Sequence, residues 1–303
     1  MNKLYVLVGL PASGKTTYAN NNLDAVILSS DEYREKMYGD INDQMHNSEV
    51  FDALYKDMIR LLRDSKNVCV DATNISRKSR SRIINLIRDS HIYCDIECVL
   101  FATSIGTILY RNSIRDRVVP IGVINKMLCS FELPFLGEGF DNLTIIDSPD
   151  TETSISDKSC KMINFNQNNP HHSLSLDRHC EKCWEYLMSK DLTTPLNDEL
   201  KLASRIHDIG KLYTQTVDDN SGFCHYIGHD HYGSYIVLTT SKLNDSEYLS
   251  VNSRYKIAFY INYHMEPFRL RDAKEKTKFK YITQFGDEWN NIMILHEGDK
   301  NAH

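Results

Sequence analysis

No stretch of this 303-residue chain is apolar over the roughly 20 residues that a membrane-spanning helix needs. A helical membrane protein is thereby excluded. No secretory leader is expected either: Met1-Asn2-Lys3 runs straight into the apolar Leu4–Val8, with neither a basic region nor a cleavage site. Net positive charge is also lacking. At a formal charge of -6 there is no global basic field for nucleic acid, so any such binding must rest on local clusters. Two runs qualify, Arg77-Lys78-Ser79-Arg80-Ser81-Arg82 and Arg111 through Arg117, although either also reads as a solvated helix face. Among the eight cysteines, Cys180-x-x-Cys183 has no second C-x-x-C to complete a zinc site and no trailing His for haem attachment. Cys69, Cys94, Cys98 and Cys129 lie inside apolar segments, so free thiols in a reducing, cytoplasmic compartment are expected. What remains is a globular composition, 41% hydrophobic and 25% charged, over a length that suits two domains.

Directly behind Leu4–Val8 stands Gly9-Leu10-Pro11-Ala12-Ser13-Gly14-Lys15-Thr16-Thr17, which opens a helical stretch. This is a G-x-x-x-x-G-K-[ST] phosphate loop in its strand–loop–helix setting, and it implies binding of a nucleoside triphosphate. The glycines let consecutive backbone N–H groups turn inward around phosphate oxygens, and the helix N-terminus adds partial positive charge. Lys15 is placed to reach the β/γ-phosphates and the Thr16 hydroxyl to ligate Mg²⁺.

The apolar runs Leu4–Val8, Ala25–Leu28, Val68–Val70, Ile96–Phe101 and Leu143–Ile146 read as parallel strands buried on both faces. Helical patterns separate them, clearest at Val50–Arg63, so a doubly wound α/β sandwich is expected over residues 1–150. Residues 151–169 are polar and aperiodic and read as a linker. Residues 170–303 read as all-α, with helices at Leu176–Ser189, Leu196–His207, Tyr255–His264 and Asp287–Ala302.

Three features of the first half bear on the phosphate acceptor. Asp31 follows a strand and can take the proton of an attacking hydroxyl, while Arg34, one helical turn on, can grip a neighbouring anion. Asp71, at the end of Val68–Val70, stands where a carboxylate can sit near Mg²⁺ or bond Thr16. Arg111 and Arg115 are spaced i, i+4, so a helix would present both on one face of a lid, with Arg117 just beyond. Asp31 and Asp71 read equally well as helix N-caps.

These residues resemble the 5′-polynucleotide kinases of phage and bacterial nucleic-acid repair. The resemblance spans about Met1 to Asp150 and rests on Gly9–Thr17, Asp31-x-x-Arg34, Asp71-x-Thr73-Asn74, and Arg111-Asn112-Ser113-Ile114-Arg115 followed by Val119-Pro120. It implies an adenylate-kinase-like P-loop kinase fold with ATP and Mg²⁺ as cofactors. Asp31 would be the general base on a 5′-OH, Arg34 would hold the phosphate beside the acceptor nucleoside, and Arg111 and Arg115 would contact ATP.

In the second half, His207-Asp208 closes a predicted helix. Adjacent side chains on a helix diverge by about 100°, so both reach one ion only near a helix end, with other helices supplying further ligands. His179 precedes the doublet and Asp299 follows it, while His225 and His229 add imidazoles at i, i+4. A mixed His/Asp set suits Mn²⁺, Fe²⁺, Co²⁺, Ni²⁺ or Mg²⁺, and such an ion with an open position serves phosphoester hydrolysis. The order His179…His207-Asp208…Asp299, with Gly210-Lys211 behind the doublet, resembles the HD-domain phosphohydrolases over roughly His171 to His303. That resemblance implies a first metal on His179, His207, Asp208 and Asp299, a second on His225 and His229, and Lys211 facing the substrate phosphate. His171, His172, His231 and His264 stand as alternative ligands.

Together the resemblances imply an end-healing enzyme acting on RNA or DNA. The first domain would phosphorylate a 5′-OH, the HD domain would clear a 3′-phosphate or 2′,3′-cyclic phosphate, and a separate ligase would seal the ends. The rival reading is a nucleoside or metabolite kinase fused to an HD nucleotidase or nucleotide sensor.

Overall fold

The computed structural model describes residues 1–170, 173–190 and 195–302, so His171 and His172 lie outside the described residues. The chain divides into two compact units, one of residues 1–103, 107–119 and 134–147 and one of residues 104–106, 120–133 and 148–303. No helix is long and apolar enough to cross a membrane, among the described residues.

The first unit is built on β1 (Lys3–Val8), β2 (Val26–Ser29), β3 (Val68–Asp71), β4 (Asp95–Thr103) and β5 (Asn142–Ser148), in the order β2-β3-β1-β4-β5. β1 pairs in parallel with β3 and β4, and β2 with β3. Leu4, Val6, Leu7, Val8, Val68, Val70, Val99 and Leu100 are buried, as expected of strands covered on both faces. The helices are α1 (Lys15–Asn22), α2 (Ser30–Tyr38), α3 (Asn47–Arg63), α4 (Arg77–Asp89) and α5 (Ile105–Ser113). α3 buries Val50, Leu54, Tyr55, Met58 and Leu62 along one stripe. The chain leaves β1 toward β3 on one side and β4 on the other, which opens a crevice at the carboxyl end of β1.

The basic run on α4 is half internal, with Lys78 and Arg82 exposed. Arg80 is fully buried and makes two 2.7 Å bonds to the Glu138 carboxylate, and Arg77 is buried against the Phe135 ring. Arg82 is exposed, paired with Asp52.

The second unit comprises α6 (Ile121–Leu128), β6 (Asp150–Ser154), α7 (Ile155–Ser159), α8 (Leu176–Ser189), α9 (Asp198–Ile206), α10 (Lys211–Thr214), β7 (Thr216–Val217), β8 (Cys224–His225), α11 (His229–Leu238), β9 (Thr240–Lys242), α12 (Val251–Tyr263), α13 (Glu266–Leu270), α14 (Glu275–Phe285) and α15 (Glu288–Asn301). Two expectations are corrected here. Residues 151–169 are not plain linker: β6 pairs in parallel with β9, and α7 is closed by a capping box between Ser154 and Asp157. Nor is the unit wholly helical, since β7 and β8 form a small antiparallel ribbon. Cys180 and Cys183 are buried free thiols, and Gly298 on α15 leaves room for Cys183 and Leu187.

Candidate functional site

In the first unit the phosphate loop joins β1 to α1, with Gly14 in the left-handed region at φ 99° immediately before the helix. The loop is pinned from its neighbours: Gly9 N–H donates to Thr73 O at 3.0 Å and Thr103 Oγ1 to Ser13 O at 3.0 Å. Lys15 is buried, with Nζ donating to the carbonyls of Gly9 (3.0 Å) and Leu10 (2.8 Å). Burial lowers its pKa to about 8, against the pull of Asp71 and Asp31. Thr16 Oγ1 donates to Asp71 Oδ2 at 2.6 Å. Burial lifts the Asp71 carboxyl above its usual range, moderated by Thr16 and Lys15. Asp71 does not cap a helix, because Ser76 caps α4. Pro11 and Ala12 form the bend of the loop, Ala12 at φ 61°, and Thr17 is exposed on the first turn of α1.

Asp31 sits in the first turn of α2, whose cap is Ser29 rather than Asp31. Both its oxygens are engaged, Oδ1 by Arg34 Nη1 at 2.9 Å and Oδ2 by Arg117 Nη1 at 2.6 Å. Arg34 is also bonded to Asn47 Oδ1 (2.7 Å), and Arg117 Nε to Asn42 Oδ1 (2.7 Å). Arg111 and Arg115 do not share a helical face. α5 ends at Ser113, and beyond it the Asn112 amide bonds both backbone groups of Val119, closing the segment into a loop. Arg115 therefore lies on a closed loop, while Arg111 Nη1 reaches Ser13 O at 3.4 Å. All three arginines remain on the segment 111–117.

In the second unit α9 ends at Ile206, so His207 and Asp208 fall in a tight turn instead of on a helical face. Gly210 is required there, since a Cβ would lie 1.9 Å from His229 O at the start of α11. The ligand atoms of His179, His207, Asp208 and Asp299 lie within 4.8 Å of one another, as do those of Asp208, His229 and His264. Asp208 serves both sets: Oδ2 is 3.4 Å from His179 Nε2 and 3.6 Å from His207 Nε2, and Oδ1 is 3.1 Å from His229 Nε2 and 3.8 Å from His264 Nε2. Asp299 Oδ1 lies 2.9 Å from His179 Nε2.

Each of the four imidazoles turns Nδ1 toward a backbone carbonyl: Ala302 O for His179, Ser204 O for His207, Tyr226 O for His229 and Ile261 O for His264, at 2.8–3.1 Å. Nδ1–H donation fixes the tautomer and aims the Nε2 lone pairs inward, the arrangement a metal ligand needs. His207 Nε2 and His264 Nε2 are buried without a hydrogen-bond partner. The buried Asp208 and the largely enclosed Asp299, facing four imidazoles, demand positive charge. Burial opposes protonation of His179, but Asp208 and Asp299 outweigh it and raise its pKa to about 9. Burial also opposes ionisation of Asp208, yet Lys211, His207 and His229 hold it well below the carboxylate range. His264 is pushed down to about 4, first by burial and then by His207 and His229. The donor set is thus a fit for a divalent cation, which supplies the charge that a shared proton otherwise provides.

Lys211 Nζ lies 2.7 Å from Asp208 Oδ2 and donates to Gln167 Oε1 at 2.8 Å. Gln167 belongs to the stretch expected as linker, whose polarity concealed a buried side chain. His225 is a correction. It is exposed on β8 opposite Thr216 and joins neither group, and His264 takes the place beside His229. The i, i+4 spacing misled because His225 precedes α11 and lies in a strand. A usable signal was present, since His264, like His207, follows the last residue of a helix. His231 lies against Asp230, apart from both groups.

A family model described as an AAA domain matches residues 4–134. One solved chain, from the Pnkp1/Rnl/Hen1 RNA repair complex, is 27% identical over 42% of each chain, with a TM-score of 0.37. A second chain from a Pnkp1/Rnl/Hen1 complex is 27% identical over 39% of this chain and 40% of that one, with a TM-score of 0.33. The present chain thus spans less than half the length of these two relatives. A candidate kinase from Chloroflexus aurantiacus J-10-fl is 17% identical over 48% of this chain and 85% of that one, with a TM-score of 0.39.

Proposed function

We propose that this chain heals nucleic-acid ends, with an ATP-dependent 5′-hydroxyl polynucleotide kinase in the first unit and a metal-dependent HD phosphohydrolase in the second. One observation carries the reading. A phosphate loop flanked by a carboxylate–guanidinium pair stands in the same chain as four imidazoles whose Nδ1 atoms are all turned to backbone carbonyls around a shared aspartate.

In the kinase, the loop N–H groups and Lys15 bind the triphosphate, and Thr16 and Asp71 would hold Mg²⁺, which offsets charge on the phosphates. Lys15 exchanges its two carbonyl partners for phosphate oxygens, so the cation is already poised at the loop. Asp31 takes the proton of the acceptor hydroxyl, and the freed oxygen attacks the γ-phosphorus. The bond from that phosphorus to the β–γ bridging oxygen breaks, and its electron pair leaves on ADP. Arg34 seats the acceptor's phosphate, while Arg111, in the last turn of α5, and Arg115, on the loop beyond it, meet the triphosphate.

In the hydrolase, His179, His207, Asp208 and Asp299 would hold one divalent ion, and His229 and His264 with Asp208 a second. The ion, when bound, supplies Lewis acidity toward a phosphoryl oxygen and activates water. Gln167 keeps Lys211 Nζ beside Asp208, where it can meet the substrate's phosphate oxygens. The substrate class that fits the kinase half is a 3′-phosphate or 2′,3′-cyclic phosphate end of the same strand.

The kinase assignment is tested by offering γ-labelled ATP with a 5′-OH oligonucleotide or a free nucleoside. Label on the oligonucleotide supports it; label on the nucleoside alone overturns it in favour of a small-molecule kinase.

A further inference from the structure

Both oxygens of Asp31 are occupied by guanidinium N–H groups, from Arg34 and Arg117. Each guanidinium takes up one face of the carboxylate that an incoming hydroxyl could approach. Departure of one cation opens that face of Asp31 to the acceptor hydroxyl.

The two arginines are held differently. The Arg34 side chain is 8% exposed, bonded to Asn47 and laid over the Phe51 ring. Arg117 is 23% exposed and sits on the loop 114–119, beyond the end of α5. Its partner oxygen belongs to a side chain that is itself 41% exposed, and ion pairs of that kind are weakly held. Phosphate accepts bidentate bonds from guanidinium and competes well for it. Asn42 and Asn47, flanking one loop, anchor the two guanidiniums, so both cations and the base border one space.

We propose that Arg117 determines acceptor specificity: it leaves Asp31 for the phosphate adjoining the acceptor hydroxyl, seating that phosphate with Arg34 and uncovering the carboxylate in the same movement. An acceptor without a phosphate leaves Asp31 capped and is phosphorylated poorly. The inference rests on the kinase reading above.

The test is steady-state transfer from labelled ATP to a nucleoside 3′-monophosphate and to the corresponding unphosphorylated nucleoside, using wild type, Arg117→Ala and Arg117→Lys. Wild type is expected to prefer the phosphorylated acceptor. Arg117→Ala should raise KM for that acceptor about 10- to 100-fold, the worth of a hydrogen bond to a charged group. It should do so without lowering transfer to the nucleoside, so the preference collapses. Arg117→Lys keeps the charge without the fork and should fall between them. An unchanged KM for ATP in each variant would show that the nucleotide site is intact. Equal losses on both acceptors, or a preference that survives Arg117→Ala, overturn the specificity role while the kinase reading stands. Failure of wild type to label either acceptor overturns the kinase reading and this proposal with it.

Discussion

Metal binding to the His/Asp cluster should be visible as stability before any substrate is found. The buried Nε2 atoms of His207 and His264 have no hydrogen-bond partner, and a cation held with Asp208 and Asp299 would give them one. A ligand bound to the native state alone stabilises it by about 2.7 kcal/mol at a hundred times its Kd. For a unit in the 150–250-residue range each kcal/mol moves Tm by about 2–4 °C, so Mn²⁺ should raise the transition by about 5–11 °C over EDTA. Asp299→Asn is the informative control, because its carboxylate contacts imidazoles and is 18% exposed, whereas Asp208 also carries Lys211. If losing that ligand weakens binding about 100-fold, the same Mn²⁺ sits near Kd and contributes about 0.4 kcal/mol, a shift of one or two degrees. Differential scanning fluorimetry with EDTA, Mn²⁺, Ni²⁺ and Co²⁺ reads this directly. Identical transitions in EDTA and all three metals would refute the reasoning, as would an undiminished shift in Asp299→Asn.

Asp31→Asn should lower kcat for 5′ transfer by about 10²- to 10⁴-fold while leaving ATP affinity nearly unchanged, measured by single-turnover transfer and nucleotide titration; loss of ATP affinity would mark Asp31 as structural. Lys15 has a folded pKa of about 8, below its ordinary 10.5, so between those values the unfolded chain binds more protons and this residue's contribution to stability rises with pH. ATP needs the charged amine, so affinity for the nucleotide should fall as pH passes upward through 8 in a calorimetric series, and a flat profile would contradict the burial argument. Glu138→Gln leaves the fully buried Arg80 without its carboxylate and should cost about 3–5 kcal/mol in urea denaturation of the first unit.

Much of the first unit was legible because its chemistry is local. The phosphate loop, Asp31-x-x-Arg34 and Asp71 each follow a short apolar strand, and a parallel sheet gathers the ends of such strands at one edge. The Arg111–Arg115 spacing was read as helical because Pro120 lies five residues farther on. Asn112 closes the loop onto Val119 through contacts that a helical wheel cannot show. In the second unit, Leu176–Ser189 was bounded correctly from its apolar stripe, and His207-Asp208 was rightly placed at a helix end. His264 stood only among the alternative ligands and Gln167 was missed, for opposite reasons. His264 lies 56 residues beyond Asp208 and meets it through the packing of α12 on α9 and α11. Gln167 looked solvated among asparagines and serines but is buried against Lys211 and accepts a bond through its backbone carbonyl from Tyr226. Ser154-Ile155-Ser156-Asp157 spelled a helix start that the low hydrophobicity of its surroundings obscured.

The most direct test is one RNA carrying a 5′-OH and a 2′,3′-cyclic phosphate, incubated with ATP, Mg²⁺ and Mn²⁺, with both ends read after nuclease digestion. An end-healing enzyme gains an ATP-derived 5′-phosphate and loses the cyclic phosphate; Asp31→Asn blocks the first change and Asp299→Asn the second. An RNA unaltered at both ends, in a preparation that phosphorylates a free nucleoside or hydrolyses a free nucleotide, would contradict that function.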